Sequence, residues 1–102
     1  MSFSQLIEIE GADEQALAEH VTGWHREQLG TAPGYLGARV FADVDRPGRH
    51  IIAVDFSSAG EARENDDRPE TAQWAQALRA LGTVADDAYR NCRQVVATHE
   101  LE

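Results

Sequence analysis

Two side chains in this 102-residue chain could handle a proton and the charge it leaves behind. His20 stands one turn before Trp24 on a helical repeat, where an imidazole could act as a base near neutral pH. The structural alternative is a hydrogen-bonded, partly exposed histidine. Asn65 lies in the polar run "ENDDRPE" and has two readings of its own. It can end a helix in the left-handed conformation that asparagine tolerates. It can also direct a carboxamide donor into a pocket to meet an oxyanion. Trp24, Trp74 and Phe56 are the aromatics that could contact an aromatic ligand, although both tryptophans also lie on apolar helical stripes suited to core packing.

Other chemistries are poorly supplied. All nine basic residues are arginine, so Schiff-base chemistry, a lysine base and a P-loop lysine are excluded. Cys92 is the single cysteine and reads as a small strand hydrophobe rather than a nucleophile; no intrachain disulfide can form. His20, His25, His50 and His99 are dispersed without metal-ligand spacing, so no metal is expected. No GxSxG, GxGxxG, Walker or CxxC motif occurs. A formal net charge of −9 would be repelled by phosphate backbones and anionic lipid, which argues against nucleic acid and membrane as partners. With no membrane-length apolar run and no signal pattern, a cytoplasmic protein is the default expectation.

The elements that must position these residues follow from periodicity. "SQLIEIE" alternates as a strand, with Ile7 and Ile9 on one face and Leu6, Glu8 and Glu10 on the other. Asp13 caps a helix over about 14–29 whose buried stripe is Leu17, Val21 and Trp24, with Gly30 just past its end. "GYLGARVFADV" and "HIIAVDFS" form a hairpin about the turn "DRPGR"; Ile52, Val54 and Phe56 share one face. In the first of these strands alternation puts Tyr35, Arg39 and Phe41 together. A short helix capped by Ser57 or Ser58 comes next. A longer one follows, in which Asp67 and Glu70 match a capping box, Pro69 sits in the first turn, and Trp74, Leu78 and Leu81 make the stripe. "YRNCRQVVATHE" is the last strand. The order β-α-β-β-α-β predicts one α+β, ferredoxin-like domain over residues 1–100 with a four-stranded antiparallel sheet. Leu101-Glu102 looks like a cloning scar.

The segment "PGYLGARVFADVDRPGRHIIAVDFSSAGEA" resembles the strand–turn–strand–helix core of antibiotic biosynthesis monooxygenase-like domains. The shared features are its PG-Y-x-G opening, its D-x-P-G turn and the S-x-x-G/E-A after the third strand. The continuation "NDDRPETAQWAQALRAL … YRNCRQVV" is similar to a largely actinobacterial subgroup. The resemblance implies a dimeric α+β barrel and a cofactor-independent monooxygenase acting on an aromatic or polyketide-like substrate, which once deprotonated reduces oxygen itself. It matches Asn65 to the family's active-site asparagine, while Pro69 stands where the family has a tryptophan. The alternative on the same fold is a non-catalytic ligand-binding or structural dimer. The face bearing Glu8, Arg39, Asp55 and Arg93, with Phe41, Tyr35 and Leu6 among them, is the expected homodimer surface, because a charge-balanced and partly apolar face suits burial against a second sheet.

Overall fold

A computed structural model describes residues 2–101, so Glu102 of the Leu101-Glu102 pair lies outside the described residues. The elements are β1 (Phe3–Glu10), α1 (Glu14–Gln28), β2 (Tyr35–Ala42), β3 (Arg49–Phe56), α2 (Ala59–Asp66), α3 (Pro69–Leu81) and β4 (Tyr89–Arg93), with a 3₁₀ turn at Thr98–Leu101. The four strands form an antiparallel sheet in the order β2-β3-β1-β4, the ferredoxin-like arrangement expected from the periodicities. The helices cover one face.

Strand alternation decides which side chains meet them. Ile7 and Ile9 from β1 and Ile52 and Phe56 from β3 are completely or almost completely buried, and Leu17 of α1 and Leu78 of α3 close over them. The caps act where the sequence places them. Asp13 accepts the backbone N–H of Ala16 at 3.0 Å and Ser58 that of Glu61 at 3.2 Å. Gly30 takes φ +82° just beyond α1, a conformation any other residue would resist.

Four expectations fail locally, each for a physical reason. The capping box is absent: Asp67 ends α2, Arg68 precedes α3 without a side-chain cap, and Pro69 opens α3. Glu70 pairs with the Arg68 guanidinium at 2.7 Å rather than reaching back to a backbone N–H. A bulge at Tyr35/Gly37 reverses the facing of Tyr35, which leaves the Arg39–Phe41 face and becomes a core residue, edge-on to Phe56 and 2.8 Å from His25 Nδ1 through its hydroxyl. Register places Arg93 opposite Phe3, on the helix-covered side, and gives its expected position beside Glu8 to Arg90. Finally, β4 stops at Arg93, and His99 falls in the 3₁₀ turn rather than on a strand.

Candidate functional site

Trp74 of α3 separates two concavities. The first is a groove of about 340 Å³ between α1 and α3. His20 stacks on the Trp74 indole at 4.9 Å with the rings 8° from parallel, and Trp24 tilts against the same indole at 5.6 Å and 46°. His20 Nε2 is 3.1 Å from the Trp74 carbonyl oxygen. A carbonyl only accepts, so Nε2 carries the hydrogen and Nδ1 keeps the lone pair in the neutral ring. The groove therefore unites three of the candidates: His20, Trp24 and Trp74. Its rim carries three carboxylates, Glu19, Glu27 and Glu70, of which only Glu70 forms an ion pair among the described residues, with Arg68.

The second concavity, about 360 Å³, lies between α3 and the β1–β4 side of the sheet. Thr71, Ala75 and Arg79 follow one another at four-residue spacing along α3, and this stripe faces the cavity because residues one helical turn apart share a side. The small Ala75 leaves the space open. The sheet contributes Gln5, Asn91 and Tyr89; Gln5 Nε2 donates to Asn91 Oδ1 at 3.2 Å. Asp66, the last residue of α2, completes the wall and also lines an adjoining recess of about 270 Å³ beneath α2 together with Asn91.

The electrostatics here differ from those of the groove. Burial pushes the Tyr89 phenol above its ordinary range; Arg79 pulls it back and Asp66 reinforces the rise. Burial also raises the Asp66 carboxyl, helped by the neighbouring Asp67 and opposed by a hydrogen bond from Gln5. Asp66 as a residue is exposed, so water screens part of this effect. The Tyr89 hydroxyl and the Trp74 indole N–H are buried without a hydrogen-bond partner, and Arg79 makes no hydrogen bond or ion pair among the described residues.

Asn65 is on the wall of neither concavity. It lies inside α2, buried, and no described non-glycine residue has a positive φ, so it is not a left-handed helix end. Its Oδ1 accepts from Thr71 Oγ1 at 3.1 Å and from Arg68 Nη1 at 3.3 Å. Arg68 Nη1 also donates to Gln28 Oε1 at 2.8 Å. Asn65 thus sits in a buried polar link from α1 through α2 to the first turn of α3, one residue away from Asp66 and bonded to Thr71. Phe56 is a core residue, 1% exposed, and reaches neither space.

Sequence reasoning did not single out Asp66, Arg79, Tyr89 or Asn91. Two signals for them were present. Gln5 and Asn91 interrupt the inward-facing apolar period of their strands, and the Thr71–Ala75–Arg79 stripe puts a polar, a small and a charged residue beside the apolar one. Among the described residues, no group of three His, Cys, Asp or Glu side chains is arranged to hold a metal, and no helix is long and apolar enough to cross a membrane.

No family model and no curated protein matches this sequence. Solved structures do. A mutant of SnoaB, a cofactor-independent oxygenase from Streptomyces nogalater, superimposes with a TM-score of 0.73 at 16% identity, covering 94% of this chain and 95% of that one. A candidate antibiotic biosynthesis monooxygenase from Deinococcus radiodurans gives 0.70 at 20% identity, over 95% of each chain. Another, from Bordetella bronchiseptica, gives 0.68 at 14% identity over 93% of this chain and 98% of that one. At these identities the likeness is one of fold, and it extends over nearly the whole chain: the protein has the fold of antibiotic biosynthesis monooxygenase-like proteins from several bacterial groups.

Proposed function

We propose that this protein is a cofactor-independent monooxygenase-like enzyme acting on an aromatic or polyketide-like small molecule, and that its substrate occupies the cavity between α3 and the sheet. One observation carries the choice of place. The Tyr89 hydroxyl and the Trp74 indole N–H, on two residues of its wall, are buried without partners beside an unpaired Arg79. Each such orphan costs about 1–3 kcal/mol, and a small shift of the wall would let oxygens of a bound ligand relieve it. The substrate supplies the electrons in this reading. Its conjugate base reduces O₂; for a reacting methylene, one oxygen atom remains on carbon as a ketone and the other leaves with the two hydrogens as water. The neighbours' fold and the name of SnoaB support the reaction class.

Asn65 and His20 act in this reading as positioning residues. Asn65 fixes Thr71 and the start of α3, while His20 holds Trp74 by stacking and through its backbone carbonyl. Trp24 supports Trp74 from behind. A polarographic assay tests the reading: oxygen uptake with an anthrone or a polyhydroxylated naphthalene is expected, and it is lost when the cavity is blocked by Ala75→Trp. A protein that binds these compounds without consuming oxygen is instead a ligand-binding dimer. The observation favouring that second reading is that the Asn65 carbonyl oxygen is already engaged by Thr71 and Arg68.

The partner surface in this reading is the outer sheet face, where a second copy would cover Phe41, which is 47% exposed, with Arg39, Asp55 and Glu8 around it. Arg39 lies over the Phe41 ring at 5.4 Å and 3.7 Å from Asp55. Arg90 bonds Glu8 and takes the part expected of Arg93. Phe41→Glu is expected to yield a monomer by light scattering, because an uncompensated carboxylate buried in an apolar contact costs several kcal/mol. A variant dimer of unchanged mass would exclude this face.

A further inference from the structure

The cavity between α3 and the sheet is lined by one carboxylate, Asp66, and one guanidinium, Arg79, and neither is spent on the other. Asp66 comes from the end of α2 and Arg79 from the far end of the α3 stripe; no ion pair joins them, and both act electrostatically on Tyr89. A surface that only needed charge balance would close that pair. Left unpaired on the lining of one cavity, the two groups can divide the work of removing a proton: one receives it and the other keeps the charge left behind. We propose that Asp66 is the general base of this site and Arg79 its oxyanion anchor, set to deprotonate a substrate whose conjugate base is an aryl oxyanion, either a phenol or an aryl ketone that can enolise.

The step balances within the substrate and these two residues. The proton passes from the substrate carbon or hydroxyl to an Asp66 carboxylate oxygen. From a C–H bond the electron pair moves through the conjugated system to the substrate oxygen, and from an O–H bond it stays on that oxygen; either way the oxygen becomes the anion for Arg79 to hold. Tyr89 and Asn91 border that oxygen's space from the sheet, and Tyr89 stays a neutral donor because burial holds its proton. The raised carboxyl of Asp66 makes it a stronger base than an ordinary aspartate. Because Asp66 and Asn91 also border the recess under α2, a fused-ring substrate would place its reacting ring near the junction of the two spaces. The acidic groove on the other side of Trp74 could receive the proton but would repel the anion.

This inference rests on the site assigned above, and its test omits oxygen so that the two can fail separately. Anthrone is incubated with the protein in deuterium oxide under argon, and loss of its methylene proton signal is followed by NMR. The protein is expected to accelerate exchange at least about a hundredfold over buffer. Asp66→Asn should bring the rate back near the buffer value, Asp66→Glu should restore part of it, and Arg79→Gln should lower it about a hundredfold. Asp66 and Arg79 are both exposed residues, so the variants should melt like the parent. Exchange that matches buffer, or that survives Asp66→Asn unchanged, overturns the assignment. Full exchange without oxygen uptake in air leaves it standing and removes the oxygenase reading instead.

Discussion

The groove and the cavity flanking Trp74 are nearly the same size, about 340 and 360 Å³, yet the groove is acidic and the cavity is charge-balanced. The groove concentrates the residues that sequence reasoning favours, His20 and both tryptophans, but rims them with Glu19, Glu27 and Glu70. The cavity has fewer aromatic groups but sets Arg79 beside a single carboxylate, Asp66. At an effective dielectric of about 20, a carboxylate about 5 Å from a substrate oxyanion costs about 3 kcal/mol, and a guanidinium at that distance gains as much. Swapping one wall for the other therefore outweighs anything a stacked histidine adds. The lesson is that an aromatic and a base in one place do not make a site for anion chemistry; the sign of the surrounding charge decides.

Removing the shared wall is the strongest way to break that contrast. Trp74→Ala should join groove and cavity and lower stability by about 3 kcal/mol, the low end of the range for tryptophan truncation because the residue is only half-buried. His20 would lose its stacking face in the same variant. Denaturant unfolding measures the loss. A change under about 1 kcal/mol would mean that the indole fills no essential space, and the division into two concavities would fall with it.

The next effect separates structural from chemical roles at Asn65. Asn65→Ala leaves two donors, from Arg68 and Thr71, without their buried acceptor, and should cost about 2 kcal/mol. Asn65→Asp keeps an acceptor in place and adds a charge that Arg68 can meet, so its stability should stay within about 1 kcal/mol of the parent. Melting curves of the two variants check this. If Asn65 acts by fixing Thr71, the Asp variant also keeps ligand affinity in a fluorescence titration of the cavity. If its N–H touches the ligand, the Asp variant loses affinity while remaining folded.

How much of this was legible in the sequence follows the strength of local signals. The strands and α1 were readable because Ile7 and Ile9, Ile52, Val54 and Phe56, and Leu17, Val21 and Trp24 repeat at clean periods. Tyr35 was not, since one bulge residue reverses a strand's facing without any mark that alternation can see. The capping box was misread for a related reason. Asp67 and Glu70 have the right spacing, but the long side chain of Arg68 reaches Gln28 on α1, a tertiary contact that overrides the local motif. For the site, the residues' chemistry was legible and their neighbourhood was not. Trp74, His20 and Asn65 were singled out by type, whereas Asp66, Arg79 and Tyr89 gain their meaning only when α2, α3 and β4 converge on one cavity.

The smallest effect tests the charge contrast through pH. Burial raises the Asp66 carboxyl in the folded protein, so its protonated form is the one the fold prefers. Its contribution to stability is fully present below its unfolded pKa and is lost as pH rises through the folded one. Glu8 behaves oppositely. The hydrogen bond and charge of Arg90, with Arg49 assisting, hold its carboxyl below the usual range against a smaller desolvation effect, so its contribution is present above the unfolded pKa and is lost as pH falls through the folded one. Asp66→Asn should therefore leave stability almost unchanged in acid and raise it slightly at neutral pH. The gain should be within about 0.5 kcal/mol, the ordinary limit for an exposed position. Glu8→Gln should do the reverse, weakening the protein at neutral pH and converging with the parent in acid. Both residues are carboxylates and only their surroundings differ, so the paired melts from acid to neutral pH isolate those surroundings. Parallel pH profiles for Asp66→Asn and the parent would show that the cavity wall does not hold Asp66 away from water, and the basis for its raised proton affinity would be gone.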